Sequence, residues 1–422
     1  MNFKLRFYKI KEIIIKFYGI LFYVEKMNME ELLSDRIKQT PPSFIRAILK
    51  TAADPEIISF AGGLPNPISF PKEELLESMG RIVKTYGSKC FQYSITAGLP
   101  ELREYIAQRY NKKFNLNLDF ENVLITTGSQ QALDLIGKVF LNENDNVLLE
   151  KPSYLGAIQA FSQYGPKFHQ IELTKDGMNI EQLKEALKNK PKLIYLIPDF
   201  QNPTGLSYTQ KARDEIYEVL KDRNIVLIED DPYGDLRFEG VRLPYIGAGK
   251  LKNSILLGTF SKTVTPGMRI GYIISENKEI LKNISISKEA SDLHSNIFTQ
   301  YLIWDYLTHN DIEEHISKIT ELYRTQATSM LNAIKKYFPK NVSHTTPHGG
   351  MFLWVTLPDG VSSVKMFPKA LEKKIVYVPG DPFYVGLHDV NAMRLNYTNA
   401  NSDTIEEGIK RLGQLLDETI SA

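Results

Sequence analysis

Residues 254–269 read SILLGTFSKTVTPGMR, a short apolar run followed by a loop rich in hydroxyl groups. The apolar half predicts a buried strand, and Lys262 follows close behind its end. Lysine is rarely buried without a partner, and burial near cationic groups lowers its pKa and makes it a nucleophile toward carbonyl carbons. Arg269 and the hydroxyls of Thr259 and Ser261 supply candidate ligands for a phosphate beside it. Taken alone, the loop also fits an ordinary surface lysine, so the neighbouring segments must decide.

Upstream of this stretch, short runs rich in Val, Ile and Leu alternate with helical patterns. The runs that predict strands are Val123–Thr126, Asn146–Glu150, Leu193–Ile197, Ile225–Glu229, Ser254–Leu257 and Ile270–Ile274. Gln130–Phe140 and Gln210–Asp222 are two of the helical patterns between them. This alternation is typical of βαβ units and predicts an α/β fold with a mostly parallel sheet. Ligands of such sheets bind beyond the carboxyl ends of the strands, so the loops after the runs form the candidate site.

Four more of these loops carry polar side chains. Ser129 and Gln130 follow a glycine and open a predicted helix, where free N–H groups form an anion site, although an ordinary helix cap fits equally. Tyr154 follows a Pro turn and can stack on a planar ring, and Asn202 lies in an Asn-Pro-Thr-Gly turn. Asp230 follows a strand end, where an acid can pair with a protonated heterocycle nitrogen or simply cap a helix.

The pattern changes after residue 310, and the organisation of the chain follows from that change. A long amphipathic helix is predicted over Ile312–Tyr337, with short strands at Met351–Thr356, Ile375–Val378 and Met393–Asn396 and a last helix from Asp403. We therefore predict four segments: an N-terminal extension at 1–26, an arm at 27–70 that belongs to the small domain, a large domain at 71–310 and a small α+β domain at 311–422.

Composition narrows the function classes. A formal net charge of +1 over 422 residues argues against nucleic-acid binding through a global basic field. Cys90 is the single cysteine of the sequence, which excludes an intrachain disulfide and fits the cytoplasm. Lys11, Glu12 and Lys16 interrupt the apolar N-terminal run, which is too short for a membrane span. That extension is interpreted as the product of an upstream start codon, with Met27 or Met29 as the functional start, or as an amphipathic surface helix.

Taken together, these segments resemble the fold-type I pyridoxal-phosphate enzymes, class I/II aminotransferases, and most closely the 2-aminoadipate and kynurenine aminotransferases and their prokaryotic relatives. The likeness runs from about Pro42 to the C-terminus. It is carried, in order, by FAGGLPNP (60–67), QYS (92–94), TGSQQAL (127–133), KPSY (151–154), QNPTG (201–205), EDDPY (229–233), TFSK (259–262) and PHGGMF (347–352). The resemblance implies pyridoxal 5'-phosphate as cofactor, a mostly parallel seven-stranded sheet in the large domain, and a homodimer with shared active sites.

The resemblance also implies a role for each matching residue. Lys262 matches the lysine that carries the cofactor as a Schiff base, and Asp230 matches the carboxylate that bonds the pyridine nitrogen. Asn202 and Tyr233 match the donors to the ring phenolate, and Tyr154 matches the stacking aromatic. Lys262, Asp230 and Tyr233 are thus the predicted catalytic residues.

The remaining matches concern the cofactor phosphate and the substrate. Phosphate ligands are predicted at Ser129, Gln130, Thr259, Ser261 and Arg269, with Tyr93 lent by the other subunit. Substrate contacts are predicted at Arg394, which clamps the α-carboxylate, and at Asn202, Gly63 and Arg46, the last of which meets the far end of the substrate. His294 is placed near the site, and no metal site is predicted, because His309 and His315 match no standard ligand spacing.

The predicted activity is transfer of an amino group from an L-amino acid (2-aminoadipate, aromatic or branched-chain) to a 2-oxo acid such as 2-oxoglutarate, by ping-pong chemistry. Two alternatives stay open at this point. A lyase, decarboxylase or cyclopropane-carboxylate synthase of the same fold type shares these motifs. An aminotransferase-like transcription regulator is the second, although only about forty residues precede the resemblance, too few for a DNA-binding domain.

Overall fold

The computed structural model describes residues 31–40, 54–386 and 388–421. The chain divides into two compact units, residues 1–42 and residues 43–422. Of the first unit the described part contains a short helix, α1 (Asp35–Gln39). All other elements below belong to the second unit.

The elements of the second unit follow one another in an alternating order. The strands are β1 (Ile58–Ser59), β2 (Val123–Thr126), β3 (Asn146–Lys151), β4 (Lys167–Thr174), β5 (Gly177–Met178), β6 (Leu193–Leu196), β7 (Val226–Asp230), β8 (Ser254–Thr259), β9 (Gly271–Ile274), β10 (Ser343–His344), β11 (Phe352–Thr356), β12 (Ile375–Val376), β13 (Val378–Pro379) and β14 (Ala392–Asn396). The helices are α2 (Lys72–Tyr86), α3 (Pro100–Phe114), α4 (Ser129–Phe140), α5 (Leu155–Ser162), α6 (Ile180–Ala186), α7 (Gln210–Leu220), α8 (Lys278–Asp292), α9 (Ile297–His309), α10 (Ile312–Tyr337), α11 (Ser363–Glu372) and α12 (Ser402–Ile420).

The large sheet has the strand order β2-β9-β8-β7-β6-β3-β4-β5. Strands β8, β7, β6, β3 and β4 run parallel, and β9 runs antiparallel to both of its neighbours. Within the described ranges the sheet therefore has the seven strands that the resemblance implies, plus the two-residue edge strand β5. The mostly parallel α/β architecture is confirmed.

The central strands lie where the aliphatic runs predicted them. Every residue of β6 and β7 is buried, as expected for strands covered by helices on both faces. Several helices begin at a residue whose side chain caps the first turn, because it accepts a hydrogen bond from a main-chain N–H that has no intrahelical partner. These caps are Asn179, Thr209, Asn296, Asp311 and Asn401.

The C-terminal part of the chain forms a second, four-stranded sheet with the order β10-β11-β14-β13. Its pairs are antiparallel, and Arg394 in β14 lies opposite Trp354 in β11. The predicted strand Ile375–Val378 is split in two, because β12 pairs with β1 whereas β13 joins β14. Residues 58–59 of the predicted arm thereby lie beside the C-terminal part, while the predicted domain boundary at residue 310 stays a prediction.

Among the helices of the described ranges, none is both long and apolar enough to cross a membrane.

Candidate active site

A cavity of about 220 Å³ lies at the carboxyl ends of β6, β7 and β8. Of the predicted site residues that the structure describes, all except Tyr93 line it. Ile197, Pro232 and Phe352 line it as well. Because the lining comes from loops that follow parallel strands, the cavity occupies the place where ligands of such sheets bind.

Asp230 is the last residue of β7 and is buried. Its Oδ2 accepts a hydrogen bond of 2.8 Å from the hydroxyl of Tyr195. Its Oδ1 is buried and has no hydrogen-bond partner among the residues that the structure describes. Burial raises the pKa of Asp230 to about 7, with a further rise from Asp231, and the bond from Tyr195 opposes the rise. A carboxylate in this state favours a cationic partner in the cavity.

Lys262 follows β8 and enters the same cavity. Its Nζ donates a hydrogen bond of 2.7 Å to the carbonyl oxygen of Gly63. Burial lowers the pKa of Lys262 to about 8, and the positive charges of Arg394 and Arg269 lower it further. The side chain therefore holds an amine that is readily deprotonated, as a nucleophile or proton carrier requires.

Asn202 connects two other residues of the cavity. Its Nδ2 lies 3.4 Å from the hydroxyl oxygen of Tyr233, to which it donates, and its Oδ1 accepts a hydrogen bond of 2.8 Å from Nη1 of Arg394. Burial raises the pKa of Tyr233 well above its ordinary value, so the phenol stays protonated and can donate. Asn202 thus fixes one side chain on each side of the cavity.

Arg394 is buried in β14 and keeps part of its donor capacity free. Its Nη2 donates to the carbonyl oxygen of Ala61 at 2.6 Å, whereas Nε has no partner within the described ranges. The guanidinium carbon lies 4.2 Å from the ring centroid of Phe352 and 5.3 Å from that of Phe383. Burial lowers the pKa of Arg394 to about 10, so the group stays cationic at neutral pH. A planar buried cation of this kind fits a carboxylate.

Hydroxyl groups and a guanidinium form a cup at one end of the cavity. Thr259 Oγ1 donates to Ser261 Oγ at 3.0 Å, and Nη1 of Arg269 donates to the same oxygen at 3.3 Å. Gly128 has φ = +77°, and a Cβ at this residue would lie 2.4 Å from Nη2 of Arg269. The glycine therefore leaves room for the guanidinium, and the cup gains a positive charge suited to an anion.

The first turn of α4 borders this cup. Ser129 and Gln130 open the helix, whose first N–H groups have no intrahelical partner and favour an anion. Gln130 Nε2 donates to the carbonyl oxygen of Gly156 at 2.9 Å, and the Tyr154 hydroxyl lies 3.4 Å from Gln130 Oε1, to which it donates. A Cβ on Gly156 would lie 2.5 Å from the Tyr154 ring, so this glycine fixes where the ring lies.

These groups together fit pyridoxal 5'-phosphate. The half-satisfied Asp230 suits a protonated pyridine nitrogen, and the amine of Lys262 suits an aldehyde carbon. The cup around Arg269 suits a phosphate, and the Tyr154 ring lines the same cavity.

Comparison with known proteins agrees with this chemistry. A family model described as aminotransferase class I and II matches residues 70–412. The chain belongs to this family. It is 42% identical over 380 residues to a 2-aminoadipate transaminase of Thermus thermophilus, covering 89% of this chain and 94% of that one. It is 38% identical over 399 residues to aromatic-amino-acid aminotransferase 1 of Thermococcus litoralis, covering 93% and 95% of the two chains.

A solved structure extends the likeness to the fold. Pyrococcus horikoshii kynurenine aminotransferase, in complex with PMP and with KYN and KYA as substrates and products, superposes with a TM-score of 0.89 at 41% identity. The superposition covers 93% of this chain and 99% of that chain. The protein is therefore a pyridoxal-phosphate-dependent aminotransferase of fold type I, near the 2-aminoadipate group.

One predicted site residue of the aminotransferase, Tyr93, lies away from the cavity. Tyr93 is 80% exposed and does not line the cavity, and its ring packs edge-on against His294 at 5.9 Å. Nε2 of His294 also accepts a 3.3 Å hydrogen bond from the main-chain N–H of Ser94, so its ring lies beside the segment that contains Tyr93. Arg46 lies outside the described residues.

The sequence-based prediction also missed residues of the aminotransferase cavity. Tyr195 bonds Asp230, and Ile197 and Phe352 line the wall without having been assigned a role. One signal for Tyr195 was available, because it is a lone tyrosine in the aliphatic run of β6. Tyr195 pairs with Ile228, which shares a sheet face with Asp230 two residues on.

Proposed function

We propose that this aminotransferase moves the amino group of 2-aminoadipate, or of an aromatic or branched-chain L-amino acid, to a 2-oxo acid such as 2-oxoglutarate. The two substrates react in turn at one site, by ping-pong kinetics. The observation that carries this proposal is the buried Arg394, whose Nε has no acceptor among the described residues and which lies beside Lys262 and Asp230 in one cavity. Donor and acceptor share an α-carboxylate, so a single guanidinium serves both.

The side chains divide the chemistry among themselves. When bound, pyridoxal phosphate receives the amino group and delocalises the electrons left at the substrate Cα. Asp230 would hold a proton on the pyridine nitrogen of the bound cofactor, because its Oδ1 has no other partner within the described part of the chain. Nζ of Lys262 takes the proton from Cα and returns it one bond away, for which its lowered pKa of about 8 suits it.

The other side chains orient the reactants. Arg394 fixes the carboxylate, and Tyr233 and Asn202 offer donor hydrogens at the same wall of the cavity. Holding both reactants in fixed positions accelerates a step between them, because their translational and rotational entropy is already lost on binding.

The donor class is proposed from the wall and from the relatives. Ile197 and Phe352 make an apolar wall, which suits aromatic and branched-chain donors. The similar proteins named above are a 2-aminoadipate transaminase, an aromatic-amino-acid aminotransferase and a kynurenine aminotransferase. An acidic donor needs a second cation, for which Arg46 stays the predicted residue.

We also propose a homodimer in which each subunit completes the other's site. An apolar patch is formed by Phe91, Tyr93 and Ile95, which are 66%, 80% and 52% exposed. The resemblance predicts that this segment reaches the active site of the partner subunit. In this arrangement Tyr93 donates to the partner's cofactor phosphate. The sequence has a single cysteine, Cys90, which is consistent with the proposed location in the reducing cytoplasm.

A two-stage assay tests the proposed reaction. Each of the twenty amino acids and 2-aminoadipate is first added to the cofactor-loaded enzyme without any oxo acid. A transaminase converts its cofactor to pyridoxamine phosphate in one turnover, and adding 2-oxoglutarate then restores the spectrum. Continuous release of ammonia or carbon dioxide without an acceptor contradicts the proposal, because a lyase or decarboxylase gives that result.

A further inference from the structure

Glu150 is a buried carboxylate that does not line the cavity. It is the fifth residue of β3, and its side chain is fully buried. Removing a carboxylate from water is costly unless hydrogen bonds replace the lost hydration. Burial accordingly raises the pKa of Glu150, and hydrogen-bond donors from Gln201, Tyr208 and Ile197 oppose the rise.

The donors divide between the two carboxylate oxygens. Oε1 accepts from the main-chain N–H of Ile197 at 3.1 Å and from the Tyr208 hydroxyl at 2.8 Å. Oε2 accepts from Nε2 of Gln201 at 3.0 Å. These donors stabilise the ionised form, but burial outweighs them and raises the pKa of Glu150 to about 8.

Gln201 is fixed in one orientation by its other contacts. Its Nε2 also donates to the carbonyl oxygen of Pro152 at 2.9 Å. Its Oε1 accepts from the main-chain N–H and the hydroxyl of Thr204, at 3.0 and 2.7 Å. The amide therefore cannot exchange its oxygen and nitrogen without losing these bonds. The side chain of Gln201 thus ties the loop 201–204 to Glu150 of β3 and to Pro152 just after it.

Asn202 lies inside that loop and contacts Arg394 and Tyr233. We propose that Glu150 is a positioning residue: through Gln201 it fixes the Asn202 carbonyl against Arg394 and so sets the affinity for the carboxylate shared by donor and acceptor. The proposal rests on the carboxylate-binding role proposed for Arg394. It assigns a function to a carboxylate that touches neither cofactor nor substrate.

Glu150→Gln is the sharpest single change, because it keeps the shape and reverses one hydrogen-bonding group. An amide at this position places its NH2 against Nε2 of Gln201 or, if it turns over, against the main-chain N–H of Ile197, so one of the two contacts is lost in either orientation. The matched control is Tyr208→Phe, which removes one donor from the same carboxylate and leaves the contact with Gln201. The double variant Glu150→Gln with Gln201→Glu restores a donor–acceptor pair between the two positions and keeps the acceptor for Thr204, but it loses the hydrogen bond from position 201 to the Pro152 carbonyl.

The probe is glutarate, a dicarboxylate that cannot react, titrated against the absorbance of the bound cofactor. We expect Glu150→Gln to weaken glutarate at least 10-fold and to raise the KM of amino donor and 2-oxoglutarate by similar factors, with kcat changed less. We expect Tyr208→Phe to stay within about 3-fold of the parent and the double variant to bind glutarate more tightly than Glu150→Gln does, the thermal unfolding of each variant being measured alongside.

Two results overturn the positioning role. One is Glu150→Gln binding glutarate within 2-fold of the parent. The other is Tyr208→Phe weakening it as much as Glu150→Gln does, because the effect then follows lost stability. If Glu150→Gln does not fold, Glu150→Asp carries the test, since it keeps the charge but draws the carboxylate back from Gln201, and glutarate binding within 2-fold of the parent in that variant contradicts the proposal. Failure of the parent itself to bind glutarate contradicts the role of Arg394 instead.

Discussion

Asp199 and Asp230 lie buried just beyond β6 and at the end of β7, two neighbouring strands, and the protein surrounds them differently. Oδ2 of Asp199 lies 2.9 Å from Nη2 of Arg213 and 3.8 Å from Nε of Arg242. Its Oδ1 lies 2.5 Å from Nη2 of Arg237. Burial acts to raise the pKa of Asp199, and the three arginines outweigh it and hold that pKa below its ordinary value. Asp230 has one hydroxyl partner, and its pKa rises to about 7.

The difference separates a structural carboxylate from a functional one. Around Asp199 the chain supplies the compensating charge itself, and the result is a fixed junction between loops. Around Asp230 the described residues supply a hydroxyl but no cation, and under the proposed function the ring nitrogen of a bound cofactor would supply that positive charge. The charge of Lys262 is also uncompensated, since burial and the positive charges of Arg394 and Arg269 lower its pKa to about 8.

The largest expected effect comes from Lys262→Ala. Removing the amine should lower kcat by about 10⁴-fold or more, because attachment of the cofactor and proton transfer are both lost. Borohydride reduction followed by peptide mass spectrometry should find no cofactor bound at position 262. Activity near that of the parent would break the comparison, because an uncompensated charge in the cavity would then have no chemical role.

The second effect is on stability, and it concerns the compensated aspartate. Asp199→Asn removes the carboxylate that pairs with Arg213 and Arg237 and one of those that pair with Arg242, and it should lower the free energy of unfolding by about 3–5 kcal/mol. Denaturant unfolding of the cofactor-free protein measures this loss. Turnover per folded molecule should fall much less than stability, and an unchanged unfolding midpoint would contradict the structural role.

The third effect reverses that pattern at the uncompensated aspartate. Asp230→Asn should bind cofactor yet lose roughly 10²-fold in rate, by analogy with the removal of a key electrostatic group. Its cofactor-free form should be at least as stable as the parent, because an unpaired buried carboxylate is replaced by a neutral amide. Steady-state kinetics and unfolding, measured side by side with Asp199→Asn, test both halves.

The smallest effect is a difference of sign with pH in the cofactor-free protein. The folded pKa of Asp230, about 7, exceeds its unfolded value of about 3.9, so the stability of the parent relative to Asp230→Asn should fall as pH rises from about 4 to 7. We expect a fall of at least about 1.4 kcal/mol, the equivalent of one pKa unit.

The matched measurement on Asp199 should behave differently. Its folded pKa is lowered, so its contribution is present above about pH 4 and lost below that value as the carboxylate is protonated. Between pH 4 and 7 the stability of the parent relative to Asp199→Asn should therefore stay constant. Parallel slopes for the two variants in that range would contradict the distinction.

Much of the fold could be predicted because the central strands are buried on both faces. β6 and β7 appear in the sequence as short aliphatic runs, and their ends fall within one residue of the predicted ones. β4 (Lys167–Thr174) was missed, because it lies next to the edge strand β5 and its side chains are mostly polar and partly exposed. Exposed strands lack the aliphatic signal on which such predictions depend.

The candidate site divides in a similar way. Lys262 and Asp230 lie in short motifs, and a short motif is enough to predict the role of such residues from the sequence. The arginines around Asp199 come from separate segments, and only folding brings them together. Ion pairs between residues far apart in the sequence form only on folding. The sequence therefore shows an aspartate at position 199 but not the arginines that surround it.

Gly128 limits how this enzyme can be redesigned. Replacing glycines by alanine is a common route to thermostability, because it reduces the freedom of the unfolded chain. At Gly128 the added methyl group would displace the Arg269 guanidinium, in addition to straining the main chain. Directed-evolution libraries should therefore keep this codon constant, since a more rigid polypeptide would be gained there at the expense of retaining the coenzyme.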